Sequence, residues 1–133
     1  MNPMRAQVDH LDPHNAPATV FDRYADQGVL AYQACTTCGT SFFPPRVLCP
    51  SCGAGEVEWR PSRGRGVVYS ATTIAPRGAP PYTVALVDLD EGWRMMSTVS
   101  DPEGGPVSIG DPVSVRFERR AEGAIPLFDK VID

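Results

Sequence analysis

The four cysteines of this sequence form two Cys-x-x-Cys pairs. Cys35 and Cys38 make up the first pair, Cys49 and Cys52 make up the second, and ten residues separate the two pairs. Tetrahedral zinc takes four thiolate ligands at about 2.3 Å, and each pair can supply two of them. A glycine directly follows each pair, and glycine suits a tight turn whose backbone amides face the sulfurs. The spacing therefore predicts a four-thiolate zinc site.

Other uses of four cysteines fit the chain less well. Two disulfides would need an oxidising compartment, and residues 1–15 contain no apolar segment or cleavage pattern typical of a secretion signal. Redox-active Cys-x-x-Cys pairs normally occur singly within a βαβ pattern, which does not surround these pairs. Iron accepts the same four thiolates, so the sequence leaves zinc and iron open. A cytoplasmic protein is expected.

A closed four-thiolate site also bears on catalysis. It has no free coordination position, so the predicted metal is structural rather than catalytic. Both histidines, His10 and His14, lie in residues 1–16, a polar stretch that predicts a flexible arm. Ser-His and Cys-His pairs are therefore not available in the body of the chain. Asp90 and Glu91 fall in a predicted turn, where acids normally face water. We expect no catalytic residue and no activity of the chain alone.

Composition favours a small β protein. The 133 residues suffice for one domain or two small modules, and 14 prolines and 12 glycines favour short strands and turns. No apolar run approaches the ~20 residues of a membrane span, so no membrane partner is expected. Residues 27–80 carry five basic and two acidic side chains, whereas residues 81–133 carry five basic and ten acidic ones. The positive charge thus accompanies the cysteine region.

One short helix is predicted before the cysteines. Residues 19–27 have apolar side chains at helical spacing, with Thr19 placed to cap the N-terminus and Gly28 placed to end the helix. A helix this short needs tertiary contacts for its stability. Phe21 and Tyr24 can make them either with the core of the same domain or with a partner, and both alternatives stay open.

The remaining pattern is that of strands. Residues 30–34 and 56–60 flank the cysteine region, and residues 61–66 predict a basic linker. Five strands follow, at residues 67–74, 82–89, 93–99, 113–119 and 125–132. Their number, with one long interruption before the fourth, fits a closed barrel of the OB type. We predict a mainly β protein with three parts: a flexible arm (1–16), a helix plus rubredoxin-like zinc ribbon (17–60) and a five-stranded OB-fold barrel (61–133).

The spacer between the cysteine pairs contains Phe42, Phe43, Pro44, Pro45 and Arg46. Its two aromatic rings could shield the metal from water or form an exposed edge; we assign the shielding role to one ring and leave the other open. The spacer stands between Cys-x-x-Cys-Gly and Cys-Pro-x-Cys-Gly, and segments 64–70 and 84–92 follow in the expected places. Together these features resemble the acyl-CoA-associated zinc-ribbon/OB-fold family over residues 20–132.

The resemblance implies a partner subunit. Members of this family act beside thiolase-like or hydratase-like enzymes that make or break carbon–carbon bonds on acyl-CoA, and the partner carries the catalytic residues. By this likeness the four cysteines bind structural zinc. The chain itself is expected to dock on such an enzyme, as in a steroid side-chain aldolase complex, within a hetero-oligomer that holds two copies.

The residues that meet the ligand or the partner are expected on chemical grounds. Arg46, Arg63 and Arg65 are candidates for acyl-CoA binding, because arginine forks clamp phosphate groups. The alternative is that they are solvated or pair with Glu56 and Glu58. The candidates for partner contact are Phe21, Tyr24 and Phe43.

A module that binds single-stranded nucleic acid is the alternative function, since ribbons and OB barrels both serve that purpose. It predicts a basic face with stacking aromatic rings, whereas the barrel half is acidic and Tyr82 and Trp93 fall at strand ends. We therefore expect no nucleic-acid partner. A free-standing enzyme that uses carboxylates in a barrel pocket is a further alternative.

Overall fold

The computed structural model describes residues 16–131, which form one helix and eight strands in two sheets. Helix α1 spans Pro17–Asp26. The strands are β1 (Ala31–Cys35), β2 (Ser41–Phe42), β3 (Val57–Pro61), β4 (Arg65–Ile74), β5 (Tyr82–Leu89), β6 (Arg94–Ser100), β7 (Pro112–Arg120) and β8 (Gly123–Lys130). A three-stranded sheet has the order β2-β1-β3, and a closed barrel has the order β4-β5-β6-β8-β7. The predicted fold class is confirmed.

Some predicted features fall outside the described residues. These are residues 1–15 of the predicted arm, with His10 and His14, and residue 132 at the end of the last predicted strand. Within residues 16–131, no helix has the length and apolar character needed to cross a bilayer.

Helix α1 begins two residues before the predicted start. Ala16 is its N-cap residue, no side chain caps it, and Pro17 lies in the first turn. Thr19 as N-cap was therefore wrong: proline has a helical φ and no N–H to satisfy, so the helix starts there instead. At the other end Gln27 is the C-cap, and Gly28 has a φ of +77°. That conformation favours glycine, as predicted.

Strand β5 buries alternate side chains in the barrel core. In β5 the side chains of Ala85, Val87 and Leu89 are buried, and those between them point outward.

The predicted linker 61–66 is shorter than expected, because β3 extends through its first residue and β4 starts at its fifth. Gly66 allows β4 to approach β5 closely: a Cβ there would lie 2.2 Å from the backbone oxygen of Asp88.

Four aromatic rings, which we call the aromatic column, join the helix, the ribbon and the barrel. The ring centroids of Phe21 and Phe43 are 5.3 Å apart, those of Phe43 and Trp93 are 5.6 Å apart, and Trp93 stacks on Tyr32 at 5.3 Å. Trp93 and Tyr32 are buried in the same core cluster as the barrel residue Phe128. Aromatic pairs contribute about 0.5–1.5 kcal/mol beyond their buried area. The ribbon and the barrel therefore share one core.

Helix α1 is also held at its C-terminal end. Asp26 Oδ1 accepts a hydrogen bond from the Ala124 backbone N–H at 2.8 Å and lies 3.4 Å from Arg119 Nη1. The Tyr24 ring lies 6.0 Å from that of Trp59 in β3. Phe21 and Tyr24 thus both pack within the chain. This agrees with the first of the two alternatives above, contact with the core of the same domain.

Glu91 does not behave as the water-facing turn residue that the sequence suggested. Its Oε1 accepts hydrogen bonds from Ser62 Oγ at 2.8 Å and Trp93 Nε1 at 3.1 Å, and its Oε2 accepts one from the Arg63 backbone N–H at 2.9 Å. Partial burial opposes ionisation, but the bonds from Arg63, Ser62 and Trp93 outweigh it and lower the pKa of Glu91. This carboxylate therefore ties the β3–β4 connection to the aromatic column.

Replacing Glu91 with glutamine should lower the free energy of unfolding at neutral pH by about 1–3 kcal/mol, since it removes bonds to a charged acceptor. The lowered pKa means that this stabilisation is present above the unfolded-state pKa of about 4.3 and is lost as the pH falls through the folded-state pKa. Urea unfolding at several acidic and neutral pH values measures both effects. Asp90→Asn, at the exposed neighbouring residue, is the matched control. An unchanged pH dependence in Glu91→Gln would contradict the assignment.

Candidate metal centre

The four cysteine sulfurs meet beside the three-stranded sheet. All four Sγ atoms lie within 4.8 Å of one another. Cys35 Sγ is 3.6 Å from Cys52 Sγ, and Cys38 Sγ is 3.7 Å from Cys49 Sγ. A tetrahedral ion with bonds of about 2.3 Å would separate its sulfur ligands by about 3.8 Å. The donor set and its spacing therefore fit zinc.

Two turns of the same design present these sulfurs. The Gly39 backbone N–H donates to the Cys35 carbonyl, and the Gly53 N–H donates to the Cys49 carbonyl, both at 2.9 Å. The φ angles of Gly39 and Gly53 are +81° and +78°, which glycine adopts without a steric penalty. The glycines that follow the pairs in the sequence thus have the predicted role.

Donor groups face the sulfurs. The backbone nitrogens of Cys38 and Ser51 lie 3.5 Å from Cys35 Sγ and 3.4 Å from Cys49 Sγ. Thr40 Oγ1 lies 3.1 Å from Cys38 Sγ. Hydrogen bonds that a thiolate accepts favour the charged form, and those from the Thr40 hydroxyl and the Thr40 backbone N–H are the main causes that lower the pKa of Cys38 to about 6. The Cys38 thiolate therefore forms readily.

Cys52 shows the opposite behaviour. The Ala54 backbone N–H favours its thiolate, but desolvation and the neighbouring sulfurs of Cys35, Cys38 and Cys49 outweigh this bond and raise the pKa of Cys52 to about 12. Four negative sulfurs at this distance repel one another. A bound cation removes that obstacle, so the chemistry of the donor set also fits a metal site.

The two aromatic residues of the spacer have different roles. Phe42, at the end of β2, is buried in a small cluster with Cys35 and Cys49, against which Val57 packs. Phe42 is therefore the ring that shields the sulfurs, and Phe43 belongs to the aromatic column. Cys35 and Cys49 are buried, whereas the other two cysteines are exposed.

Gln33 in β1 positions the spacer, a role that was not predicted from the sequence. Its Nε2 donates to the Arg46 carbonyl at 2.8 Å, and its Oε1 accepts from the Arg46 N–H at 2.6 Å. The side chain thus bonds the spacer backbone as a neighbouring strand would. The available signal was one glutamine within an otherwise apolar predicted strand.

The three candidate arginines are exposed. Arg46 is in the spacer, Arg63 is in the β3–β4 connection, and Arg65 begins β4. Within residues 16–131, no ion pair or side-chain hydrogen bond engages their guanidinium groups. Glu58 pairs with Arg60 instead. Of the alternative stated above, the pairing with Glu56 or Glu58 is therefore not found, whereas exposure of the three side chains to solvent is.

Comparison with known proteins places these features in a family. A model of the rubredoxin-like zinc ribbon domain of ChsH2 matches residues 23–58, and a model of the C-terminal OB-fold domain of ChsH2 matches residues 59–118. A DUF35 domain-containing scaffold protein of Methanothermobacter thermautotrophicus is 36% identical over 96 residues, which are 67% of this chain and 72% of that protein. The chain belongs to the ChsH2/DUF35 family.

Two further proteins that are similar to this ChsH2/DUF35 chain have names that refer to enzymes. The structure described as the Ltp2-ChsH2(DUF35) aldolase matches with a TM-score of 0.75 and 30% identity, over 91% of this chain and 99% of that one. A probable enoyl-CoA hydratase alpha subunit of Thermomonospora curvata is 34% identical over 109 residues. The match covers 78% of this chain but 34% of that longer protein.

Purified wild-type chain should contain one zinc per molecule, and Cys52→Ser should lose most of it. Structural zinc contributes about 10 kcal/mol or more to small zinc domains, so the variant should also melt at a lower temperature. Elemental analysis and circular dichroism measure the two effects, with Ser51→Ala as the adjacent control. Because protons compete for the thiolates, wild-type zinc content should fall on acidification. Full zinc content and an unchanged melting temperature in Cys52→Ser would refute the site.

Proposed function

We propose that this ChsH2/DUF35 chain is a non-catalytic, zinc-binding subunit of an acyl-CoA enzyme. It docks on a thiolase-like or hydratase-like subunit and supports carbon–carbon bond formation or cleavage on acyl-CoA. The observation that most supports this proposal is the structural similarity of the chain, over 91% of its length, to a chain of the Ltp2-ChsH2(DUF35) aldolase. A steroid side-chain aldolase complex is the specific form that we favour.

The metal has a structural role in this proposal. Cys35, Cys38, Cys49 and Cys52 would hold zinc, which supplies folding free energy to a ribbon that buries little apolar surface. Their four sulfurs form one cluster, so none is left to act as a nucleophile when the ion is bound. The reacting groups then belong to the partner.

The names of the relatives support an accessory role. Similar archaeal chains are described as scaffold proteins. In the Thermomonospora relative, the matched module is about a third of a longer polypeptide whose name refers to enoyl-CoA hydration. Symmetric enzyme dimers would favour two copies of the accessory chain in the assembly. We place this complex in the cytoplasm, where cysteines remain reduced and able to bind zinc.

The acyl-CoA contact is assigned to the exposed arginines. Arg46, Arg63 and Arg65 have guanidinium groups that no acid within residues 16–131 neutralises. The ADP end of CoA carries phosphates, which arginine binds through paired charge-assisted hydrogen bonds. The Arg63 backbone N–H also donates a hydrogen bond to Glu91 Oε2 at 2.9 Å. This bond fixes the position of Arg63 beside the barrel.

Turnover assays test the division of labour. The tagged chain is isolated from its own host with whatever binds it, and a second sample is purified alone. Acyl-CoA substrates should be turned over by the complex, because the partner supplies the reacting groups, and not by the chain alone. Turnover by the chain alone at the rate of the complex would refute the accessory role.

The double variant Arg63→Ala/Arg65→Ala tests the acyl-CoA assignment in the same complex. Loss of two charge-assisted contacts should lower kcat/KM for acyl-CoA at least tenfold, since each contributes about 1.5–3 kcal/mol. Assembly should be unaffected. Arg77→Ala, at an exposed arginine of the β4–β5 loop, is the control and should retain wild-type kinetics. Wild-type kinetics in the double variant would remove these two residues from the site.

A further inference from the structure

An apolar groove lies where the spacer meets the outer face of the barrel. This open groove has a volume of about 410 Å³, within the range of about 300–1,000 Å³ that binding pockets occupy. Its lining residues are Phe43, Pro44, Leu86, Arg94, Met95 and Met96. Leu86 and Met96 are cross-strand neighbours in β5 and β6, and Met96 is 66% exposed. The groove therefore presents an apolar floor to solvent.

The single charge in the groove is already neutralised. Arg94 Nε and Nη2 donate to the two carboxylate oxygens of Asp88 on the neighbouring strand, and its guanidinium carbon lies 3.5 Å from the centre of the Tyr69 ring. No free charge remains to attract a phosphate or a carboxylate. Charge complementarity thus favours an uncharged, apolar occupant over the phosphate end of CoA.

The lining also has the composition of the centre of a protein interface. Such centres are depleted in free charges and enriched in aromatic residues, methionine and arginine. The side chain of Met96 is flexible and polarisable, which lets it adapt to the shape of an apolar partner. Phe43, which forms one wall, is fixed by the aromatic column through Phe21 and Trp93. One rigid wall and one adaptable floor suit a protein segment with large side chains.

We propose that this groove receives an apolar segment of the partner enzyme. The segment inserts one or two large uncharged side chains, such as leucine, phenylalanine or methionine, between Phe43 and Met96. The inference rests on the proposed function and names the surface through which docking occurs. It also connects docking to the metal, because the cysteine pairs fix both ends of the spacer that carries Phe43.

The test compares two side chains of similar exposure. Among the described residues, Ile109 and Met96 are the most exposed large apolar side chains, at 73% and 66%, and only Met96 lines the groove. Met96→Asp, Met96→Lys and Ile109→Asp are each titrated against the purified enzyme subunit of the complex. Melting temperature and zinc content establish that each variant is folded. Sedimentation of the chain alone measures self-association.

Both Met96 variants should bind the enzyme subunit at least tenfold more weakly than wild type, and Ile109→Asp should bind within about twofold. Equal binding of the enzyme subunit by all variants would overturn the proposal. Weaker binding by Met96→Asp but not by Met96→Lys would also overturn it, because this difference indicates an effect of charge. Self-association that only the Met96 variants lose would identify a second copy as the occupant and also overturn it. If the wild-type chain binds no enzyme subunit, the proposed function fails as well; if wild type and variants bind alike, only the groove assignment fails.

Discussion

The structure depends on four sulfur atoms that lie within 4.8 Å of one another. As thiolates they repel, and a bound cation turns that repulsion into a cross-link between two distant turns. The ribbon needs such a cross-link, because its cluster beside the sulfurs contains few buried residues. The metal also fixes both ends of the spacer. That constraint brings Phe42 over the sulfurs and directs Phe43 toward the barrel.

Three contacts of different chemistry connect the ribbon and the helix to the barrel. The aromatic column passes through Trp93, Glu91 accepts hydrogen bonds from the β3–β4 connection, and Asp26 ties the helix to β8. Each contact joins parts of the molecule that are far apart in sequence. Together they make the ribbon and the barrel one body, so that the groove beside Phe43 has a defined shape. The docking that we propose requires a surface of this kind.

Local sequence signals predicted the features that depend on neighbouring residues. The cysteine spacing identified the metal site, and strand-forming runs bounded by turn residues located strands such as Tyr82–Leu89 with correct bounds. Strand β2 was missed because its two residues are too few to show alternation. The roles of Gln33 and Glu91 were also missed. Their hydrogen bonds reach partners 13 and 28 residues away, and no periodic pattern encodes such contacts.

We propose above all that the chain works as part of a larger enzyme. Native mass spectrometry of the assembly recovered with the tagged chain from its own host tests this most directly. We predict a hetero-oligomer that contains a thiolase-like or hydratase-like subunit and two zinc-loaded copies of this chain. A zinc-loaded chain recovered as a monomer, with no enzyme subunit bound, would contradict the account.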